Sequence, residues 1–490
     1  MSSRIASSQA RSRDGGAPHK TWTIVVASLG VFMTALDTLV VTTSLPALRV
    51  DLHSSLSNLE WTVNAYNLAF ACFILTGAAL GDRFGRRRMY VVGLSLFTAA
   101  SAAAAASPDI GTLVAARAVQ GIGAAIVFPL TLTLISEAFP VEKRGTAIGL
   151  WGGITGLGVA IGPVVGGAVV GGISWHWIFW LNVPVGIALI PIAAGRLTES
   201  FGPRSQLDLV GLLLAGAGAL GLTWGLVRAN AAGWGSVEVL VALIGGATFI
   251  AAFLEWERRA SNPMLPLALF RQRTFATANA VSVFMYAGLF GALFLMSQFF
   301  QTALGYSPLG AGVRLLPWSL PPMFIAPIAG ALADRYGNRP FMALGLALQA
   351  SGLAWVALIA APGVSYAEIG VALLIAGSGT SFCFPTVANA VMGSVPLKEA
   401  GIASGANSAL REFGGVLGVA VLASVFARRG VYTSHRAFID GFTQALWVAV
   451  GFSALGFVAA LLAAGRRKDR HTLHELTPTA ALEAEPARAA

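Results

Sequence analysis

Apolar and polar positions in this chain are banded rather than mixed. Runs of apolar residues, each near the ~20 needed to cross a bilayer as a helix, are separated by short breaks rich in charge, Gly or Pro. Reading the bands in order predicts fourteen spans, at 22–46, 58–80, 89–107, 110–136, 145–170, 176–195, 208–228, 237–255, 274–301, 309–331, 340–361, 367–393, 402–426 and 440–464. The third break is the least marked, only Ser107, Pro108 and Asp109. The prediction is an all-α polytopic membrane protein.

Composition agrees with the banding. Hydrophobic residues make up 56% of the 490 and charged residues 11%, with a mean hydropathy of +0.72. A soluble chain carries about 25% charge, so too little polar surface is present for a water-soluble globule. No cleavable leader is expected, because the first apolar run is long and lacks a small-residue cleavage site. Cys72 and Cys383 both fall within predicted spans, which argues against a disulfide, and His53 and His176 lack metal-ligand spacing. Neither a metal nor a phosphate-binding loop is expected, so ATP is not the expected energy source.

The net charge of +10 could suggest nucleic acid in a soluble protein, but its placement says otherwise. Arg49, Arg228, Arg428, Arg429 and Arg436 lie in the odd-to-even loops, and Arg117, Arg314 and Arg411 within spans. All other Lys and Arg fall in the two tails or the even-to-odd loops. The positive-inside rule then puts both termini in the cytoplasm and the chain in the plasma membrane, facing lipid and not nucleic acid.

The chain also repeats itself. GIGAAIVFPLTLTLISEAFPVEKRGTAIG (121–149) aligns without gaps to GSGTSFCFPTVANAVMGSVPLKEAGIASG (377–405), and GDRFGRRR (81–88) matches ADRYGNR (333–339). Two six-span halves are therefore expected at 22–195 and 274–464. Spans seven and eight form an insert at 196–273, flanked by tails at 1–21 and 465–490. Parallel halves with a midplane site between them are one architecture of secondary transporters.

Several residues stand out against this apolar background. An ionisable side chain inside a span is a functional candidate, which singles out Asp37, Arg117, Arg411 and Glu412. Glu412 could instead be structural, and Arg314 is placed nearer an interface. Asn64, Tyr66 and Asn67 could line a polar cavity, and an intramembrane asparagine can equally hold helices together. Asp82, beside Arg83, Gly85, Arg86 and Arg87, could form a charge network that breaks when the halves rock, and Asp334, Arg335, Tyr336 and Gly337 repeat it. In GVAIGPVVGG (158–167), Gly158, Gly162 and Gly166 make one smooth stripe, which lets a helix approach closely. Pro163 is the helix breaker among them and Gly167 ends the run. Trp175, Trp177 and Trp180 suggest an aromatic belt at the outer interface.

Five of these stretches resemble motifs of the major facilitator superfamily, and together they cover roughly residues 20–465. Asp82, Arg83, Gly85, Arg86 and Arg87 resemble its loop signature, although Ala78 stands where the leading glycine is usual; the second copy keeps Gly330. Arg117, Gln120 and Gly121 resemble its fourth-span motif, associated with proton transfer. Leu36, Asp37, Thr38, Val40, Val41, Leu45 and Pro46 resemble the first-span signature of the fourteen-span drug/proton antiporters, with Thr43 and Ser44 departing from it. Trp175, Trp177, Phe179, Asn182, Pro184 and Gly186 resemble a segment of that branch, and Gly158, Gly162, Pro163, Gly166 and Gly167 its antiporter motif.

The resemblance implies the major facilitator fold and a proton-coupled exporter of hydrophobic or amphipathic drugs, antibiotics or biocides. It would act as a monomer, driven by the proton gradient with no cofactor and no catalytic residues. Asp37, Arg117 and Glu412 would handle protons or substrate, with Gln120 and Arg411 as further cavity candidates. The Asp82 and Asp334 loops would form the cytoplasmic gate. The second-half equivalents of Arg117 and Pro163 are Leu373 and Val419, so both features are one-sided. Two other readings are proton symport of a nutrient or metabolite and a membrane sensor or scaffold that transports nothing.

Overall fold

The computed structural model describes residues 16–53, 56–202, 208–261, 263–430 and 435–463. The two tails fall largely outside these residues, as do the side chains of Thr43, Leu45, Pro46 and Pro163.

Each apolar band folds as a helix because a backbone inside hydrocarbon must satisfy its own hydrogen bonds. The fourteen long helices are α1 (Gly16–Asp51), α2 (Leu56–Phe84), α3 (Arg86–Ala105), α4 (Ile110–Ala138), α5 (Val141–Gly172), α6 (Asn182–Arg196) and α7 (Leu209–Ala232). There follow α8 (Val237–Arg259), α9 (Arg273–Gln298), α10 (Pro321–Tyr336), α11 (Arg339–Ile359), α12 (Tyr366–Gly393), α13 (Ala400–Arg429) and α14 (His435–Leu462). All fourteen bands are long and apolar enough to cross a membrane.

The breaks act as caps. At the faint third break, Asp109 accepts from the Thr112 N–H at 2.9 Å, and that bond holds its exposed carboxyl below the ordinary aspartate value. Asp208, Ser236 and Ser307 cap α7, α8 and the short helix Pro308–Arg314 in the same way.

Besides the ninth, which closes as a π-helical turn over Phe299–Ala303, two predicted spans are not single helices. The sixth begins with a separate short helix, His176–Trp180, before α6. The tenth is divided into Pro308–Arg314, Leu316–Ser319 and α10. Pro317, Pro321 and Pro322 remove donors at the latter breaks. By contrast, α5 stays helical through Pro163.

Helices α1–α6 pack among themselves, as do α9–α14. The two groups meet mainly where α5 crosses α10 and where α2 crosses α13. In repeat terms these are one contact made twice: the fifth helix of each group against the second helix of the other. The insert, α7 and α8, packs through α7 on α2 and α13, so it lies along one of these seams. Its outer side is apolar, with Val237 78% and Leu213 74% exposed, as suits a lipid-facing surface.

Small residues set the crossings. A Cβ on Gly158 would lie 2.9 Å from the Phe32 carbonyl of α1, and one on its repeat equivalent, Gly414, 2.8 Å from the Val283 Cα of α9. The glycine at this level of the stripe thus serves both groups, whereas Pro163, Gly166 and Gly167, which align with Val419, Leu422 and Ala423, are one-sided. Gly167 instead faces Leu309. Trp177 and Trp180 are exposed as a belt requires, but Trp175 is not: it is buried, donating to Asp51 at 2.7 Å.

Candidate functional site

Inside the first group, five helices converge on one carboxylate. Asp37 of α1 and Arg117 of α4 are both buried, and their ion pair measures 2.5 Å. Gln120, one turn after Arg117, accepts from that guanidinium at 2.7 Å and donates to Asp37 at 2.9 Å. Asn182 at the start of α6 also donates to Asp37, at 2.8 Å, and reaches Ser101 of α3 at 3.1 Å. Arg117 Nε donates to the Thr62 carbonyl of α2 at 2.9 Å, while the Tyr66 ring lies 4.3 Å from the guanidinium carbon.

A charge is expensive to bury unless it is paired and hydrogen-bonded. Here none of these side chains has a fully buried polar atom without a hydrogen-bond partner.

The structure therefore brings together Asp37, Arg117, Gln120 and Tyr66 of the sequence candidates. It adds Ser101, Asn182 and Thr62, which the spacing of charges could not reveal because none is ionisable. Asn64 and Asn67 are half-buried on α2. Arg411 and Glu412, on α13, form no ion pair with this cluster or with one another, although Glu412 is near enough to act electrostatically on Tyr66. Arg314 sits at the end of its short helix with its guanidinium 3.5 Å from the Tyr306 ring centre.

At the end of the bundle bearing the basic loops lies a second constellation. Asp82 closes α2 and accepts from Arg86 Nε and Nη2 at 2.8 and 2.7 Å. Arg86, fully buried, also pairs with Glu137 at the end of α4 and donates to the Lys398 carbonyl of the other group at 3.3 Å. Glu137 in turn accepts from Ser200 at 2.5 Å, and Glu199 accepts from the Arg87 N–H at 2.9 Å and pairs with its side chain. The segment entering the insert is thus stitched into this loop. Arg83 and Arg335 instead lie beside Phe84 and Tyr336.

The repeated loop makes a related but different contact. Asp334 accepts from the Gly145 and Thr146 N–H groups at 2.8 and 2.9 Å and from the Thr146 hydroxyl at 2.9 Å. A carboxylate at a helix N-terminus is favourable on both hydrogen-bond and dipole grounds. The repeat equivalent of Gly145 is Gly401 at the start of α13, and it lies directly against Asp82. Each aspartate therefore seats on the opposite group's fifth helix.

Gly85 and Gly337 turn the two loops with φ of +104° and +89°, a region that favours glycine. The Arg86–Glu137 pair has no second copy: its equivalents are Asn338 and Gly393, and Asn338 accepts from Asn389 at 3.0 Å. Closer to the centre, Ala78 faces Gly405, whose Cβ would lie 2.6 Å from its own. The departure at Ala78 is accommodated by this glycine. With Ser404 donating to the Pro129 carbonyl at 2.7 Å, the two groups are sealed together at this end.

A sequence profile of the Major Facilitator Superfamily matches residues 27–194, 209–419 and 278–487, the latter two matches overlapping. The chain belongs to the Major Facilitator Superfamily. Among its relatives in the superfamily is multidrug resistance protein Stp of Mycobacterium tuberculosis, 38% identical over 83% of this chain and 75% of the relative. The tetracenomycin C resistance and export protein of Streptomyces glaucescens is 34% identical over 84% of this chain and 77% of its own. The fold is also that of the human organic anion transporter MFSD10, with a TM-score of 0.64 at 17% identity over 90% of this chain and 99% of the other. These major facilitator relatives are consistent with a multi-pass membrane protein whose two groups of six helices are the halves of the superfamily fold.

Proposed function

We propose that this protein is a proton-driven exporter of hydrophobic or amphipathic drugs, working by alternating access from the cytoplasm outward. The observation that carries the proton coupling is the buried Asp37–Arg117 pair, fully hydrogen-bonded within an apolar bundle. Such a pair is retained in a membrane interior for function. Export as the direction is supported by relatives named for multidrug resistance and for resistance and export.

In this reading the basic end faces the cytoplasm of the plasma membrane, as the positive-inside rule places it, and the chain acts as a monomer without a cofactor. The Asp82 and Asp334 contacts are then the closed cytoplasmic gate. Proton entry from outside loosens Asp37 from Arg117 and the rearrangement reaches the seams through α1, α4 and α5. The gate opens, substrate enters, and proton release to the cytoplasm restores the pair.

Proteoliposomes with an imposed pH gradient test this. A panel of amphipathic drugs added to the purified protein is expected to collapse the gradient, with drug moving against the proton. Uptake of substrate in the same direction as the proton would replace export with symport. Failure of every compound to move under either gradient would leave a sensor or scaffold.

A further inference from the structure

Two of the buried arginines, Arg117 and Arg411, are treated very differently. Arg117 is ion-paired and hydrogen-bonded, whereas Arg411 of α13, only 2% exposed, forms no ion pair and leaves two buried donors without acceptors. Its Nε and Nη2 are buried with no hydrogen-bond partner, and no carboxylate among the described residues forms an ion pair with it. The adjacent Glu412 forms no ion pair with it, as neighbours about 100° apart on a helix need not, although its carboxylate is near enough to act electrostatically on both Arg411 and Tyr286.

What surrounds the guanidinium is aromatic. Its carbon lies 4.5 Å from the ring centre of Phe128, 5.0 Å from Tyr286 and 5.5 Å from Phe384. The cage spans both halves: Phe128 belongs to α4, Tyr286 to α9 and Phe384 to α12. Trp151 of α5 stacks on Phe384 at 5.4 Å, and Phe70 of α2 meets Phe128 at 5.9 Å. Rings stabilise a cation through their faces but accept no conventional hydrogen bond from its edge. A buried donor without an acceptor calls for an explanation, and here two belong to a charged group at the seam where the halves separate.

We propose that Arg411 is a substrate-binding residue, and that the cage selects flat aromatic compounds bearing an anionic oxygen, such as a carboxylate. The anion takes the free edge of the guanidinium and the apolar body replaces Phe128 against the remaining rings as the halves part. This rests on the exporter reading, since it names the substrate class of the cavity between the halves.

Equilibrium binding to the full chain in phosphatidylcholine nanodiscs tests it with three probes of like size: 2-naphthoate, 2-naphthylmethanol and 2-naphthylmethylammonium. A charge-assisted hydrogen bond corresponds to roughly 10- to 100-fold in affinity, so naphthoate is expected to bind tighter than the other two by that factor. Arg411→Gln is expected to remove the preference and leave naphthylmethanol binding within about threefold. Wild-type protein that prefers the ammonium, or shows no preference, overturns the proposal even if the variant does not fold. So does Arg411→Gln binding naphthoate as tightly as wild type. Proteoliposomes that move none of a wide drug panel would sink the exporter reading, and the binding preference would still be read independently.

Discussion

Neutralising Asp37 perturbs a buried, extensively hydrogen-bonded polar cluster. Asp37→Asn keeps one acceptor oxygen for Asn182 or Gln120 but leaves Arg117 buried without a counter-charge. Removing one partner of a buried pair costs about 3–5 kcal/mol, roughly two to nearly four orders of magnitude in an equilibrium. Arg117→Gln is expected to cost at least as much, because it also gives up the bond to the Thr62 carbonyl. The double variant replaces both charges by amides that can bond each other, so its loss of stability should fall short of the sum by about 2 kcal/mol or more.

Two assays separate stability from coupling. Unfolding of detergent-purified protein reads the cycle, and drug-induced proton movement in everted vesicles reads transport. The double variant should regain much of its stability and none of its proton movement. Wild-type drug-driven proton movement by Asp37→Asn would sink the assignment of Asp37 as the proton carrier. Strict additivity in the cycle would refute the pairing itself.

Two further predictions concern the seal at the basic end. Asp334→Asn weakens three hydrogen bonds onto the start of α5, and charge-assisted bonds are worth about 1.5–3 kcal/mol. A cysteine at the fully buried Ser404 should then react with an aqueous maleimide at least about tenfold faster; an unchanged rate would show that the contact does not hold the gate. Gly405→Ala forces a methyl to within 2.6 Å of the Ala78 Cβ, so it should spread α2 from α13 and impair transport. Adding Ala78→Gly should restore activity, and no rescue would refute that packing account.

Much of this architecture is written in the sequence, because in a bilayer hydropathy and helix formation are nearly the same constraint. The bands mark fourteen helices, and the match of 121–149 to 377–405 pairs the halves. Asp37, Arg117 and Asp82 stood out because a charge in an apolar run has few neutral explanations. Asn182, Ser101 and Thr62 did not, since a lone neutral polar residue in a span has many. Glu137, Glu199 and Ser200 do not stand out in the sequence for another reason: they look like ordinary loop-end charges and polar groups until folding brings them to Arg86 and Arg87.

Tertiary structure alone decided which charges are partnered. Arg117 and Arg411 look alike in sequence, each an arginine in an apolar helix. Only the packing of helices far apart along the chain gives Arg117 a carboxylate and an amide, and surrounds Arg411 with rings. Local sequence sets where a side chain sits along its own helix. The atoms that meet it come from other helices, and their arrival is a property of the assembled bundle.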